Sequence, residues 1–315
     1  MQSLNTTDAF LKKRVLKLMG NRFEISVVTE DEKWADECID AAIEEISRIE
    51  QLLTTFKESS QTNEVNANAG IRPVKVDTEV FDLVKRSLKI SQLTQGAFDI
   101  TYGSINKQFW NFDTSMTTLP DVELAKQSVR LINYRKVQLN EKDCTVFLKD
   151  KGMRIGFGGI GKGYAADKAK NVLRQKGVKS GVVNAAGDLI TWGMQPDGNP
   201  WTVGIADPDA KQHPFSHLSI SNMAVATSGK YEKYAVIKGK KYSHTIDPKT
   251  GFPVSGIKSV TVICPSAELA DAMATPVMVM GVKAGLGMIN QMKQIACIII
   301  DDNNQIYTSN NIKIT

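Results

Sequence analysis

The sequence GMRIGFGGIGKGY, residues 152–164, decides how the middle of the chain folds. Residues 152–155 have the apolar character of a strand, and an amphipathic helix is predicted over about residues 163–176, closed by Gly177. The glycines between them predict a tight turn from a strand into a helix. Backbone amides and the helix dipole at such a junction favour an anion, so this loop suits a phosphate.

The loop matches two phosphate-binding motifs incompletely. Gly156, Gly158 and Gly161 satisfy GxGxxG, but no acidic residue follows at the distance that holds a ribose. Gly163 stands where a Walker A loop has Ser or Thr for magnesium. Two interpretations therefore stay open for the loop alone, a phosphate cradle and a turn that merely requires glycine.

Helices and strands alternate irregularly on both sides of this loop. Apolar residues recur at helical spacing over residues 32–56, and a second helix is indicated over residues 79–95, closed by Gly96. No βα unit repeats, which favours an α+β fold with mixed or antiparallel sheets over a doubly wound sheet. Strands are predicted at residues 23–29, 137–139, 145–148, 181–192, 201–205, 223–226, 234–237, 259–263 and 296–300.

Composition limits the class of protein. The 315 residues are 42% hydrophobic and 23% charged, which is typical of a globular chain with a substantial core. The net charge of +5 is spread along the chain, so no nucleic acid is indicated as a partner. No composition shift marks a linker, and one compact unit is expected. The four cysteines lack zinc spacing, and the polar N-terminus lacks an apolar signal core.

One histidine lies where a side chain is well placed for chemistry. His244 ends a short predicted strand just before the turn sequence DPKTG, which starts at Asp247. A histidine that only satisfies turn carbonyls is the alternative interpretation. His213 and His217 straddle Pro214 and cannot share a regular helix face, so they are poor metal candidates.

A mostly apolar helix is predicted over residues 267–281, with Ser266 as its N-cap. Asp271 and Thr275 lie one turn apart on one face of it. Two oxygen ligands at this spacing suit Mg²⁺ or another hard divalent cation, which keeps phosphate oxygens as further ligands. The alternative is a solvated Asp and a Thr bonded to the preceding turn. Pro276 removes one helix amide and predicts a kink.

Eight short blocks follow one another along the chain from about Leu18 to Gly281. They are MG at 19–20, TTF at 54–56 with Ser60 and Asn66, GAFDIT at 96–101 with Trp110, GGIGKGY at 158–164 with Asp167, VNAAGD at 183–188, ATSGKY at 226–231, HTIDPKTG at 244–251 and DAMAT at 271–275. Taken in this order, they resemble the ApbE-type FAD:protein FMN transferase family. The order of the blocks carries the resemblance, since no single motif is specific.

The resemblance implies a fold and a set of site residues. It implies one ApbE-like, T-fold-related α+β unit over residues 17–315, after an N-terminal extension over residues 1–16. The implied metal ligands are the Gly161 carbonyl, Asp271 and Thr275. Asn21 and Gln61 depart from the usual Thr and Glu, and Pro276 interrupts the metal-bearing helix. The implied FAD-site residues are Met19, Phe56, Ala97, Phe98, Asp99, Lys162, Tyr164 and Thr245.

The implied activity is Mg²⁺-dependent transfer of FMN from FAD to a Thr or Ser hydroxyl of an acceptor protein, with release of AMP. Lys162 and the loop amides are expected to hold the FAD pyrophosphate. His244 is the candidate general base, and Asp247 is expected to share or replace that role. The implied acceptor is a flavoprotein subunit of a membrane redox complex. Family members are usually exported and often lipid-anchored, which implies the periplasm or the outer face of a bacterial membrane.

Three other functions stay open at this point. An FAD pyrophosphatase would use water in place of the acceptor hydroxyl and give FMN and AMP. An FAD carrier would bind the dinucleotide without turnover. An NAD-type dehydrogenase built on the GxGxxG match would bind nicotinamide and need no metal.

Overall fold

A computed structural model describes residues 9–106, 118–206, 214–229, 234–237, 240–243 and 245–312. Within these ranges the chain forms six α-helices and fifteen strands. The helices are α1 Glu32–Leu53, α2 Gln61–Ala67, α3 Thr78–Leu93, α4 Val122–Val129, α5 Gly161–Gln175 and α6 Ala267–Ile289. The strands are β1 Phe10–Leu18, β2 Asn21–Thr29, β3 Val74–Lys75, β4 Val137–Asn140, β5 Thr145–Leu148, β6 Gly181–Ala185, β7 Asp188–Trp192, β8 Trp201–Ala206, β9 Pro214–Ile220, β10 Ala224–Gly229, β11 Tyr234–Ile237, β12 Lys240–Ser243, β13 Ile257–Cys264, β14 Ala296–Asp301 and β15 Ile306–Thr308.

The chain divides into two compact units. The first consists of Met1–Glu50, Lys162–Ala226 and Ile263–Ala270, and the second of Gln51–Gly161, Thr227–Val262 and Asp271–Thr315. Each unit is assembled from three separate segments, so no linker of distinctive composition marks the division. The sequence had suggested a single unit for this reason. The boundary predicted between residues 16 and 17 falls inside β1.

In the first unit, antiparallel strands in the order β1-β2-β6-β7 and the first residues of β10 form one sheet, and β8 and β9 form a separate antiparallel pair. Strand β1 pairs with β2 over all nine of its residues, and the connecting residues Met19 and Gly20 have φ of 50° and 73°, as a two-residue hairpin requires. The predicted strand over residues 181–192 is in fact the β6-β7 hairpin, because Ala186 and Gly187 turn the chain with positive φ. On β1, Lys12 forms ion pairs with acidic side chains of α1.

The second unit contains the antiparallel sheet β3-β5-β4 and the strand order β10-β13-β14-β15. Residues 152–155, predicted as a strand, are not one. Their backbone is held by side chains, since Asn66 bonds the Ile155 amide at 2.7 Å and the Ile155 carbonyl at 3.1 Å. Ser104 likewise accepts from the Arg154 amide and donates to its carbonyl. The polar backbone of this apolar segment is therefore satisfied without a neighbouring strand.

Helix α6 is long and apolar enough to cross a membrane by length and composition alone. Ala270, Met273 and Ala274 are buried, as in the core helix of a globular unit. The predicted kink at Pro276 is not where the helix breaks. The non-helical residue is Gly281, with φ of 82°, and Pro276 lies within a continuous helical stretch.

Candidate functional site

The glycine loop ends where α5 begins, at Gly161, whose amide donates to the Phe157 carbonyl at 2.7 Å. A Cβ added to Gly156 or Gly158 would meet no atom of the described residues within 4 Å, and neither glycine has a positive φ. The fold itself therefore does not require glycine at these two positions. A backbone left open in this way suits the close approach of a ligand, which favours the cradle over the simple turn.

The predicted metal ligands present hard oxygen donors. Asp271 is only 6% exposed, which contradicts the alternative of a solvated carboxylate. Thr275, one turn later on α6, shares a hydrogen bond of 2.9 Å with the hydroxyl of Ser228. The described residues contain no cluster of three or more His, Cys, Asp or Glu side chains that could hold a metal. A carboxylate, a hydroxyl and a backbone carbonyl are nevertheless donor types that Mg²⁺ accepts, since it binds few protein oxygens and completes its shell with phosphate or water.

The N-terminus of α6 is fixed by Asp167 of α5. Its carboxylate accepts from the Ser266 hydroxyl at 2.8 Å and from the amides of Ala267 and Glu268 at 3.0 Å each. The Ser266 hydroxyl accepts from the Leu269 amide at 3.2 Å, which confirms the predicted N-cap. A carboxylate at a helix N-terminus satisfies free amides and complements the dipole. Asp167 therefore sets the start of the helix that carries Asp271, a role that sequence reasoning missed.

Lys162, the first residue after Gly161, forms an ion pair with Asp188. Its ammonium lies 2.6 Å from the Asp188 carboxylate, and the two side chains are 23% and 10% exposed. Asp188 begins β7, directly after the turn of the β6-β7 hairpin. The sequence predicted Lys162 as a phosphate ligand but indicated no partner for it. The family block at residues 183–188 is the feature of the sequence that associates this hairpin with the predicted site.

The residues predicted to line the FAD site differ widely in exposure. Phe56 is 96% exposed, an unusual position for a large aromatic side chain. Ala97, Phe98 and Tyr164 are 5%, 7% and 4% exposed, so little of their side chains is free to contact a ligand. Met19 lies in the β1-β2 turn, where its amide donates to the Glu50 carboxylate at 2.9 Å. Of these side chains, Phe56 offers by far the most free surface.

Asp99 is a buried carboxylate that holds local backbone. One of its oxygens accepts from the amide and the hydroxyl of Thr101, and the other from the Tyr134 amide at 2.9 Å. Burial raises the pKa of Asp99, and these hydrogen bonds lower it only in part. Both carboxylate oxygens are therefore engaged inside the second unit.

The segment predicted to carry the general base is described only in part. His244 itself lies outside the described residues. Asp247 accepts the Lys249 amide at 2.8 Å with Oδ1, which stabilises the turn. Gly251 completes this turn with φ of 74°, and a Cβ there would clash with the Ala125 carbonyl oxygen of α4. The carbonyl of half-buried Thr245 accepts the Val254 amide. A hydrogen-bonded turn thus begins three residues after His244.

Comparisons with known proteins give one consistent result. The model of the ApbE family matches residues 19–299. An FAD:protein FMN transferase from Klebsiella pneumoniae is 32% identical over 294 residues, which cover 93% of this chain and 90% of that protein. The ApbE protein from Thermotoga maritima matches with a TM-score of 0.86 and 29% identity, covering 96% and 97% of the two chains. The apo flavinyl transferase ApbE from Pseudomonas stutzeri matches with a TM-score of 0.83 and 25% identity, covering 96% and 95%.

Proposed function

The chain belongs to the ApbE family, and from this premise we propose that it moves the FMN half of FAD onto a hydroxyl group of an acceptor protein and releases AMP. It is a flavin transferase with FAD as substrate. The family match, the names of its relatives and the shared α+β fold all support this activity. The observation that carries this conclusion is the family match over residues 19–299. The metal, the site residues, the acceptor and the location of the protein are our proposals.

Mg²⁺ is the cation that the oxygen donors suit best. We infer that Asp271, Thr275 and the Gly161 carbonyl hold it, because a largely buried carboxylate and a hydroxyl lie one turn apart on α6. When bound, the ion neutralises negative charge on the pyrophosphate oxygens. Asp167 fixes the first turn of the helix that bears two of these ligands.

The FAD phosphates would meet the open backbone of the glycine loop and the ammonium of Lys162. Gly156 and Gly158 leave room for close approach, and the first amides of α5 carry the positive end of its dipole. Asp188 holds the Lys162 ammonium in place and limits its rotamers. Exposed Phe56 is our candidate for stacking on a flat ring of FAD. Family resemblance also assigns Met19, Thr245 and the buried residues Ala97, Phe98, Asp99 and Tyr164 to this site, although the buried residues offer little side-chain surface to a ligand.

Transfer needs one bond to form and one to break. The acceptor hydroxyl oxygen bonds to the FMN phosphorus, and the bond from that phosphorus to the bridging oxygen breaks, so AMP leaves with that oxygen. The hydroxyl proton must go to a base. We assign this role to His244, because histidine is the side chain that most often acts as a general base in catalysis. Asp247 is the alternative base, although its Oδ1 already accepts the Lys249 amide.

The acceptor and the location rest on the family resemblance alone. We propose that the acceptor is a flavoprotein subunit of a membrane redox complex, modified at a Thr or Ser. The corresponding location is the periplasm or the outer face of a bacterial membrane, with a lipid anchor in the full-length precursor. Labelling of intact cells with a membrane-impermeant reagent tests this location, and protection of the protein from the reagent would contradict it.

One incubation separates the candidate activities. The protein is mixed with FAD and Mg²⁺, with and without an acceptor protein, and the products are tested for AMP and for flavin fluorescence that survives denaturing electrophoresis. A transferase gives protein-bound flavin together with AMP when the acceptor is present. A pyrophosphatase gives free FMN and AMP without it, and a carrier gives no AMP at all. Nicotinamide binding in place of FAD would indicate a dehydrogenase.

The metal proposal has its own control. EDTA and Asp271→Ala should each abolish AMP release, whereas Glu268→Gln, on the same helix, should leave it unchanged. Full activity of Asp271→Ala with Mg²⁺ present would show that the ion binds elsewhere.

A further inference from the structure

The hydroxyl oxygens of Ser228 and Thr275 lie 2.9 Å apart. Ser228 is on β10 and Thr275 is on α6, and both residues belong to the second unit. Both side chains are half-buried. Among the described residues, the hydrogen-bond partner of the Thr275 side chain is therefore another hydroxyl and not a carbonyl of its own helix.

This bond selects one conformation of Thr275. A helical Thr divides between two χ1 rotamers because its hydroxyl can bond back to a carbonyl of the preceding turn. In that arrangement the hydroxyl is occupied by its own helix. The bond to Ser228 instead favours the rotamer that directs the hydroxyl to β10.

A hydroxyl that binds a cation uses an oxygen lone pair and keeps its proton for donation. The proton of Thr275 then needs an acceptor, and the Ser228 oxygen lies at hydrogen-bond distance. We propose that Ser228 is a positioning residue for the metal site: it accepts the Thr275 proton and leaves the Thr275 lone pairs to the cation. This inference rests on the proposed Mg²⁺ site. Mutation of a residue that hydrogen-bonds to a metal ligand commonly lowers metal affinity by about 10- to 100-fold.

A neighbouring pair offers a matched control. The hydroxyls of Thr227 and Thr261 also lie 2.9 Å apart, on β10 and β13. Successive side chains of a strand point to opposite faces, so Thr227 and Ser228 face different sides of β10. Thr261→Val removes one hydroxyl of a pair with the same separation and leaves Ser228 and Thr275 unchanged.

The test measures Mg²⁺ binding by calorimetry in the FAD-bound full chain, with no acceptor protein present. Ser228→Ala should weaken Mg²⁺ affinity by about 10-fold or more. Ser228→Thr, which keeps the hydroxyl, should restore most of it, and Thr261→Val should leave it unchanged. Ser228→Cys keeps the side-chain shape with a slightly larger atom, and its thiol is a weak acceptor. It should therefore show a similar loss, and it replaces Ser228→Ala if that variant fails to fold.

The outcomes separate this inference from the proposed function. Equal Mg²⁺ affinity in the wild type, Ser228→Ala and Ser228→Cys would overturn the role of Ser228 while the metal site stands. Equal loss in Thr261→Val would also overturn it, because the effect would then follow from any lost hydroxyl pair. If the wild type shows no Mg²⁺ binding that depends on Asp271, the metal site fails and this inference fails with it.

Discussion

The ammonium of Lys162 and the carboxylate of Asp188 form a largely buried ion pair with a separation of 2.6 Å. Two charges withdrawn from water stabilise each other only while both are present. The pair ties the residue after the glycine loop to the β6-β7 hairpin. Asp188 thereby holds the Lys162 ammonium in position. In our proposal the same ammonium also binds the FAD phosphates.

These two roles can be separated by mutation. Lys162→Met should destabilise the protein by about 3 kcal/mol, because it removes the opposite charge that faces the largely buried Asp188 carboxylate. The double variant Lys162→Met with Asp188→Leu should regain most of that stability in urea unfolding, since the buried carboxylate is removed as well. It should not regain AMP release from FAD. A double variant with wild-type turnover would show that Lys162 does not act on the phosphates.

The second prediction concerns His244, which lies outside the described residues. His244→Ala should lower the rate of flavin transfer at saturating FAD and neutral pH by about 100-fold, since the acceptor hydroxyl loses its base. The loss should shrink as the pH rises, because hydroxide then takes the proton. His217→Ala, which removes an exposed histidine on β9, is the control and should have no effect. A full transfer rate in His244→Ala would show that His244 is not the general base and would leave Asp247 as the candidate.

Local patterns were enough to predict most helices and strands. Helices α3 and α5 follow from apolar periodicity and from glycines that end them, and Gly96 and Gly177 have the expected positive φ of 85° and 96°. The α+β class was also correct. The first strand, β1, was missed, because the consecutive basic residues Lys12, Lys13 and Arg14 interrupt any apolar alternation; Lys12 and Arg14 pair with acids of α1.

Side-chain contacts between residues far apart in the chain could not be predicted from the sequence. The bonds from Asp167 to Ser266 and Ala267 join residues about 100 positions apart, and no local pattern encodes such a pairing. The same holds for Asn66, whose side chain replaces a neighbouring strand at Ile155. The ligands of the site stay predictions from residue chemistry and family resemblance, whereas the long-range side-chain contacts of Asp167 and Asn66 were not predicted at all.

The third prediction is a pH dependence that comes from Asp99. Burial raises its pKa above the ordinary value of 3.8, so the folded chain holds this proton to a higher pH than the unfolded chain does. The stability that Asp99 contributes should therefore fall as the pH rises from about 3.8 through the raised pKa. The advantage of the wild type over Asp99→Asn in thermal unfolding should shrink across this window. An advantage that grows with pH would mean that the pKa is lowered in the folded state.

The fourth prediction follows from the exposure of Phe56. Because 96% of the residue is exposed, Phe56→Ala should change the free energy of unfolding by less than about 0.5 kcal/mol. If the ring stacks on FAD, its loss should cost about 1 kcal/mol of binding, which is about a fivefold weaker affinity in a flavin fluorescence titration. Phe56→Trp should retain affinity, since it keeps an aromatic face.

The matched control for this change is Ile71→Ala, which removes another exposed apolar side chain of the same unit, 68% exposed. It should leave both stability and FAD affinity unchanged. Equal weakening by Phe56→Ala and Ile71→Ala would point to a general effect of lost apolar surface. A loss of FAD affinity confined to Phe56→Ala would instead mean that the Phe56 ring, which is largely exposed in the free protein, packs against bound FAD.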